Sequence, residues 1–145
     1  GTDGKFDEGI RFFLSDWTQI VNFPKQHAAN CTTKHQNTNS RFKPLVRLYK
    51  NMRNRMIEEH VIKAGLAPSY FIEGMLSNVP NNLFAGTYEN AFVNTFNWVN
   101  NADSSKLTCA NGIHWLVRDN FHECWPTANF NSYMPAVSKY WEDWG

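Results

Sequence analysis

Apolar residues recur at intervals of three and four over most of the chain, the signature of helices that bury one face. The best-defined run covers about 41–62, where Phe42, Leu45, Val46, Tyr49, Met52, Met56 and Ile57 fall on one side. Pro44 lies in its first turn, where backbone N–H groups lack intrahelical partners, and Gly65 is expected to end it. Upstream, Pro24 opens a shorter helix through about His35, followed by the polar break Asn37-Thr38-Asn39-Ser40. Downstream, Pro68 starts a helix carrying Phe71, Ile72, Met75 and Leu76 that should stop near Asn78, because the residue before Pro80 disfavours the helical region. Tyr88, Phe92, Phe96 and Val99 mark a further apolar face, and Met134, Val137, Tyr140, Trp141 and Trp144 give the last helix an aromatic stripe. Residues 101–112 read as a polar loop and 113–125 as helical.

Residues 10–21 support two readings. Ile10, Phe12 and Leu14 alternate before Ser15-Asp16, as in a β-hairpin, while Ile10, Phe13, Leu14, Trp17 and Val21 also fit one helical face. The hairpin is preferred. The expected fold is therefore mainly α, a bundle-like domain over 24–145 with an N-terminal hairpin within 1–23. At least four helices should form, with Phe42, Tyr49, Phe71, Phe92, Phe96 and Trp141 largely buried.

Composition narrows the class. At 145 residues, 42% hydrophobic and 15% aromatic, the chain can bury a core and is unlike a disordered sequence. No run approaches the roughly 18 apolar residues of a membrane span, and residues 1–5 do not open a signal peptide. Cys31, Cys109 and Cys124 are too few and too scattered for a disulfide framework. A cytoplasmic protein with no membrane partner is expected.

The net charge of +1 conceals a strong asymmetry. Residues 25–63 hold nine of the fourteen Lys and Arg against Glu58 and Glu59 alone, a local charge of +7 that leaves −6 elsewhere. At about 100° per residue, setting Lys43 at zero puts Arg47 near 40°, Lys50 near 340° and Asn54 near 20°. The apolar residues of this helix span roughly 180° to 320°. The cations thus border the buried face instead of opposing it. Cations there either pair with acids from elsewhere in the domain or line a cleft that receives phosphates, and the second reading is favoured.

Three segments then carry a family resemblance: Arg41-Phe42-Lys43-Pro44-Leu45-Val46-Arg47-Leu48-Tyr49-Lys50, Pro68-Ser69-Tyr70-Phe71-Ile72-Glu73 and Asn78-Val79-Pro80. Together they resemble the C-terminal helical region of the template-independent nucleotidyltransferases related to oligoadenylate synthetase and cyclic GMP-AMP synthase, particularly the bacterial enzymes that make cyclic oligonucleotide signals in antiviral defence. Trp17 and Asn22-Phe23-Pro24-Lys25-Gln26-His27 are similar to the segment by which those enzymes leave the catalytic sheet. The resemblance covers about 9–99 and implies that 1–23 is a remnant of that sheet and 24–145 the nucleotide-binding lobe. It also implies that Lys50 and Ser69 hold the triphosphate of a nucleoside triphosphate, with Lys43 and Arg47 in support. The chemistry agrees, since Lys supplies a point charge and a hydroxyl at a helix N-terminus adds a donor.

The family reaction is attack of a hydroxyl on an α-phosphate, assisted by Mg²⁺ ions held by acidic residues. A Gly-Ser followed by Asp-x-Asp should carry that work, and this sequence contains neither. The resemblance therefore implies a partner, the N-terminal nucleotidyltransferase core, that holds Mg²⁺ outside this chain, with no catalytic residue here and no activity of the chain alone. The alternative is a free-standing module that binds nucleic acid or a nucleotide second messenger, which the interleaving of cations with Phe42, Tyr49 and Tyr70 would also suit. Two other constellations are weaker. His27, Cys31 and His35 align at i, i+4 and i+8 but lack a fourth zinc ligand, and His114, His122 and Cys124 are a poor nucleophile set because closeness in sequence does not make a catalytic pair.

Overall fold

The computed structural model describes residues 23–144. The hairpin expected over 10–21, and with it nearly all of the segment 1–23, lies outside the described residues. Within them the chain forms five α-helices: α1 Pro24–Asn37, α2 Phe42–Glu58, α3 Ser69–Ser77, α4 Tyr88–Asn101 and α5 Thr127–Trp144. Short 3₁₀ turns occupy Asn81–Phe84 and Ser104–Lys106. Mainly α, as expected, the described residues contain no strand longer than an isolated bridge.

Helix α2 is the centre of the arrangement and packs against α1, α3 and α4. Its buried residues Phe42, Leu45, Val46, Tyr49, Met52 and Met56 recur at the helical period. Polar groups enter this core in pairs that satisfy one another: the Tyr49 hydroxyl bonds Thr95 Oγ1 of α4 at 2.9 Å and donates to the Phe92 carbonyl at 3.3 Å. Both ends of α2 are set by tertiary needs. At the start, Thr38 is buried although it lies in the polar break, because its hydroxyl accepts from the Phe42 N–H at 2.9 Å and reaches back to the Lys34 carbonyl at 2.9 Å. One side chain thus ties the end of α1 to the start of α2.

The far end corrects the sequence reading. Helix α2 stops at Glu58 and not beside Gly65, since His60 adopts the left-handed conformation (φ 62°) and the Val61 N–H turns back to the Met56 carbonyl at 2.8 Å. That turn satisfies a terminal carbonyl and returns Ile62 to the core. Burial is corrected in three places as well. Tyr88 is 42% exposed, with the Arg41 guanidinium over its ring, and Ala91 takes its place on the buried face of α4. Phe71 and Trp141 are only partly buried at the core edge, where Phe71 stacks on Trp125 and Trp141 on Phe92.

The largest departure is at 113–125, a stretch expected to be helical that is not. Thr108 bridges Trp115 antiparallel and Val117 bridges Trp125 in parallel. The backbone bonds run across the segment instead of along a helix, from the Leu116 N–H to the Leu107 carbonyl at 2.8 Å, from Arg118 to Trp125 at 3.1 Å and from Trp125 to Leu116 at 2.6 Å. Buried Asn111 accepts the Ile113 and His114 N–H groups on its Oδ1, and Gly112 beside it takes a positive φ of 73°. Residues 101–112 are not simply a polar loop, for Leu107, Cys109 and Ala110 are buried in it. Trp125, fully buried, anchors the segment through Nε1 to the Leu66 carbonyl at 2.9 Å.

Asn78, at the C-terminus of α3, clamps this segment. Its amide donates to the Gly74 and Thr108 carbonyls at 2.8 Å each, and its oxygen accepts the Thr108 N–H at 3.0 Å. Asn78→Ala leaves several partly buried groups without partners and should cost about 1.5–3 kcal/mol. Urea unfolding of the variant checks this; a loss below about 0.5 kcal/mol would show that water replaces the clamp.

Candidate nucleotide site

The cations that the helical wheel places beside the apolar face of α2 do line one cleft. It has a volume of about 190 Å³ and is bounded by Cys31 of α1, Phe42, Lys43, Val46, Arg47 and Lys50 of α2, and Glu73 of α3. Lys43 and Arg47 are exposed, whereas Lys50, deeper along the stripe, is partly buried. The floor is apolar and its α2 wall cationic, as an anion site bordering a core requires.

Glu73 is the acid that sequence reading did not pair with the stripe. Its Oε2 accepts from Lys50 Nζ at 3.4 Å, and its Oε1 lies 2.6 Å from His27 Nε2 of α1. Burial alone would raise the Glu73 carboxyl, but the hydrogen bond and charge of His27, with Lys50 behind them, hold it below its ordinary value. The imidazole moves the other way. The Cys31 side chain and the Glu73 carboxylate lift it to about 9 against the opposing effect of burial. Helical phase was the available signal, because Glu73 follows Ser69 by one turn.

Ser69 opens α3, directly after Pro68. Its hydroxyl is already engaged, accepting from Arg53 Nη1 at 3.1 Å, and the same nitrogen donates to the Ala67 carbonyl at 2.9 Å. Arg53 follows Lys50 by three residues on α2. The contacts Lys50–Glu73 and Arg53–Ser69 are therefore adjacent rungs between antiparallel helices, which sets Ser69 about one helical turn from the Lys50 contact. Arg53 was missed from the sequence because it lies off the narrow basic line, and only its reach across to α3 gives it a part.

The metal reading changes its membership. His35 turns away, its Nδ1 accepting from the Lys43 N–H at 3.3 Å. Glu73 takes its place, so that a ligand atom from each of His27, Cys31 and Glu73 lies within 4.8 Å of the others. Glu73 already engages His27 and Lys50, the His27 Nδ1 is buried without a hydrogen-bond partner, and a thiol and an imidazole are poor company for Mg²⁺, which takes oxygen ligands. The nucleophile set stays apart from the cleft chemistry: His114 Nδ1 lies 3.0 Å from the Asn111 amide, and burial pushes the Cys124 thiol up to about 11.

Comparison with known proteins matches this architecture. Residues 29–142 fit the model of the cGAS/DncV-like nucleotidyltransferase C-terminal helical domain. The chain is 37% identical over 145 residues to the cyclic UMP-AMP synthase of Rhodothermus marinus, a match spanning 99% of this chain and 50% of that protein. It is 32% identical to a cyclic nucleotide synthase of Staphylococcus haemolyticus, across 98% of this chain and 48% of the relative. The chain thus spans about half the length of the curated relatives it matches.

Solved structures agree. The Rhodothermus marinus c-UMP-AMP synthase with Apcpp and Upnpp superposes with a TM-score of 0.79 at 39% identity, covering 86% of this chain and 42% of that one. A cyclic dinucleotide synthase of Elizabethkingia meningoseptica with GTP and Apcpp gives 0.69 at 31% identity, covering 81% and 44%. No described helix is long and apolar enough to cross a membrane. The chain belongs to the cGAS/DncV-like nucleotidyltransferases and carries their C-terminal helical domain.

Proposed function

We propose that this chain is the lobe that holds the triphosphate of a nucleoside triphosphate while a separate catalytic half, supplying Mg²⁺ and the carboxylates that bind it, makes a cyclic oligonucleotide second messenger. The observation that carries the reading is the cleft of Lys43, Arg47 and Lys50, which Glu73 closes on the α3 side, with Ser69 about one helical turn beyond that contact. Lys50 is its centre, because it is the least exposed of the three. A partly desolvated ammonium attracts phosphate more strongly than one in open water. Ser69 adds a hydroxyl at a helix start, where backbone N–H groups favour anions, and Arg53 holds that hydroxyl in place. Lys43 and Arg47 contribute attraction at longer range. The metal sits with the catalytic half, since the only ligand cluster among the described residues does not suit Mg²⁺.

A charge-assisted hydrogen bond contributes roughly 1.5–3 kcal/mol. Lys50→Ala should therefore weaken triphosphate binding by the two-part enzyme about ten- to a hundredfold. Ser69→Ala loses a neutral hydroxyl and should weaken it by roughly two- to tenfold. If both touch one phosphate chain, the double variant departs from additivity. Isothermal titration with an ATP analogue, folding being checked by circular dichroism, gives all three values. Unchanged affinity in folded Lys50→Ala would return the stripe to an ordinary solvated face, and tighter binding of single-stranded oligonucleotides with a steep salt slope would favour the nucleic-acid module instead.

A second expectation concerns chemistry. The 145-residue chain, incubated with ATP and GTP and either Mg²⁺ or Mn²⁺, should form no oligonucleotide, because Gly-Ser and Asp-x-Asp are missing from it. Chromatography of the reaction tests this. Any cyclic or linear product above a heat-inactivated control would place catalytic groups within this chain.

A further inference from the structure

The cleft holds one group that works against an anion. Among the described residues Glu73 is the only carboxylate lining it, and a carboxylate beside a phosphate site repels the ligand unless its charge is offset. Its two contacts are unequal. The bond to His27, at 2.6 Å, has the length of a charge-assisted hydrogen bond, whereas that to Lys50, at 3.4 Å, is at the limit of hydrogen bonding. His27 is in turn held in place. Its ring stacks on Tyr70 with centroids 4.6 Å apart and planes 19° from parallel, and the Tyr70 hydroxyl accepts from the buried Asn111 amide at 2.9 Å. Among the described residues the carboxylate thus faces His27 and Cys31 from α1 and Lys50 from α2, while Lys43 and Arg47 line the same cleft and Tyr70 stacks on His27.

We propose that Glu73 is the resting counter-ion of Lys50, and that His27, by holding the carboxylate through the shorter bond, is the positioning residue that leaves Lys50 free to pass to an incoming triphosphate. The inference rests on the reading of Lys50 as a phosphate ligand. An ammonium has three N–H donors, and the long contact to Glu73 engages one of them weakly. With His27 positively charged, the carboxylate is neutralised from the side away from Lys50, and the cleft presents net positive charge. Without that proton His27 can still donate Nε2–H to Glu73 but no longer offsets its charge, and the carboxylate draws on Lys50 for compensation as the phosphate enters.

The sign follows. His27 is raised to about 9 by the Cys31 side chain and Glu73. Triphosphate affinity should then be level between pH 7 and 8 and fall as the pH rises through about 9.

Two measurements test the proposal. In the 145-residue chain, the His27 imidazole is titrated by NMR, and its midpoint should fall from about 9 towards the ordinary value in Glu73→Gln. An ordinary midpoint in the unaltered chain, or one unmoved in Glu73→Gln, overturns the coupling. In the two-part enzyme, affinity for a non-hydrolysable ATP analogue is followed from pH 7.5 to 10. His27→Gln, which keeps a donor but no charge, should bind roughly three- to tenfold more weakly at pH 7.5 and lose the step near pH 9. Glu73→Gln should bind at least as tightly as the unaltered protein and also lose the step. His27→Lys, positively charged throughout most of this range, should recover affinity, which a purely structural role for His27 would not allow.

The outcomes separate the two readings. If Lys50→Ala binds normally, the phosphate site itself is wrong. If Lys50→Ala binds weakly while His27→Gln keeps the affinity and pH profile of the unaltered protein, only the role of His27 and Glu73 is overturned.

Discussion

Helix α2 has to do two incompatible things on neighbouring strips of its surface. Phe42, Leu45, Val46, Tyr49, Met52 and Met56 must leave water to build the core, while Lys43, Arg47 and Lys50, next to them on the helix, must keep their charge. Burying an apolar side chain fully contributes about 1.5–3 kcal/mol, and burying an unpaired charge costs several times that. The domain meets both demands by wrapping α1, α3 and α4 around the apolar strip and leaving a cleft over the cationic one. The site is therefore a consequence of how the core closes, and its cations stand where α1, α2 and α3 approach one another.

That closure brings an acid and a base into the cleft. Glu73 and His27 come from helices that flank α2, and their short contact joins α1 to α3 beside Lys50. Thr38, Asn78 and Arg53 do the same work elsewhere, each bonding backbone or hydroxyl groups of a second element. None is a large contributor by itself, since a net hydrogen bond is worth about 1 kcal/mol. Their effect is to fix the angle and register of helices that the apolar contacts alone would let slide.

The segment 107–125 shows the same principle without a helix. Its buried residues Leu107, Cys109, Leu116, Val117 and Trp125 could have belonged to a helical face, but the Leu116, Arg118 and Trp125 N–H groups bond across the segment to the Leu107, Trp125 and Leu116 carbonyls. Through Asn111 and Tyr70 this irregular segment supports the ring of His27, so a stretch remote from the cleft helps to define it.

What the sequence determined by itself was whatever repeats over a few residues. The period of Phe42 to Met56 predicts α2 and the place of its basic stripe, Pro24 and Pro68 mark where α1 and α3 begin, and the residues around Lys50 and Ser69 carry the family resemblance. Helical period and the rigid φ of proline are local properties, so they can be read from neighbours alone. Tertiary structure decided the rest. The left-handed turn at His60, the bridges within 107–125, and the meeting of His27 with Glu73 across 46 residues depend on which surfaces face each other. Whether a lysine beside a core meets solvent, a phosphate or a carboxylate is settled by the helix packed against it, and the period of its own helix holds no record of that neighbour.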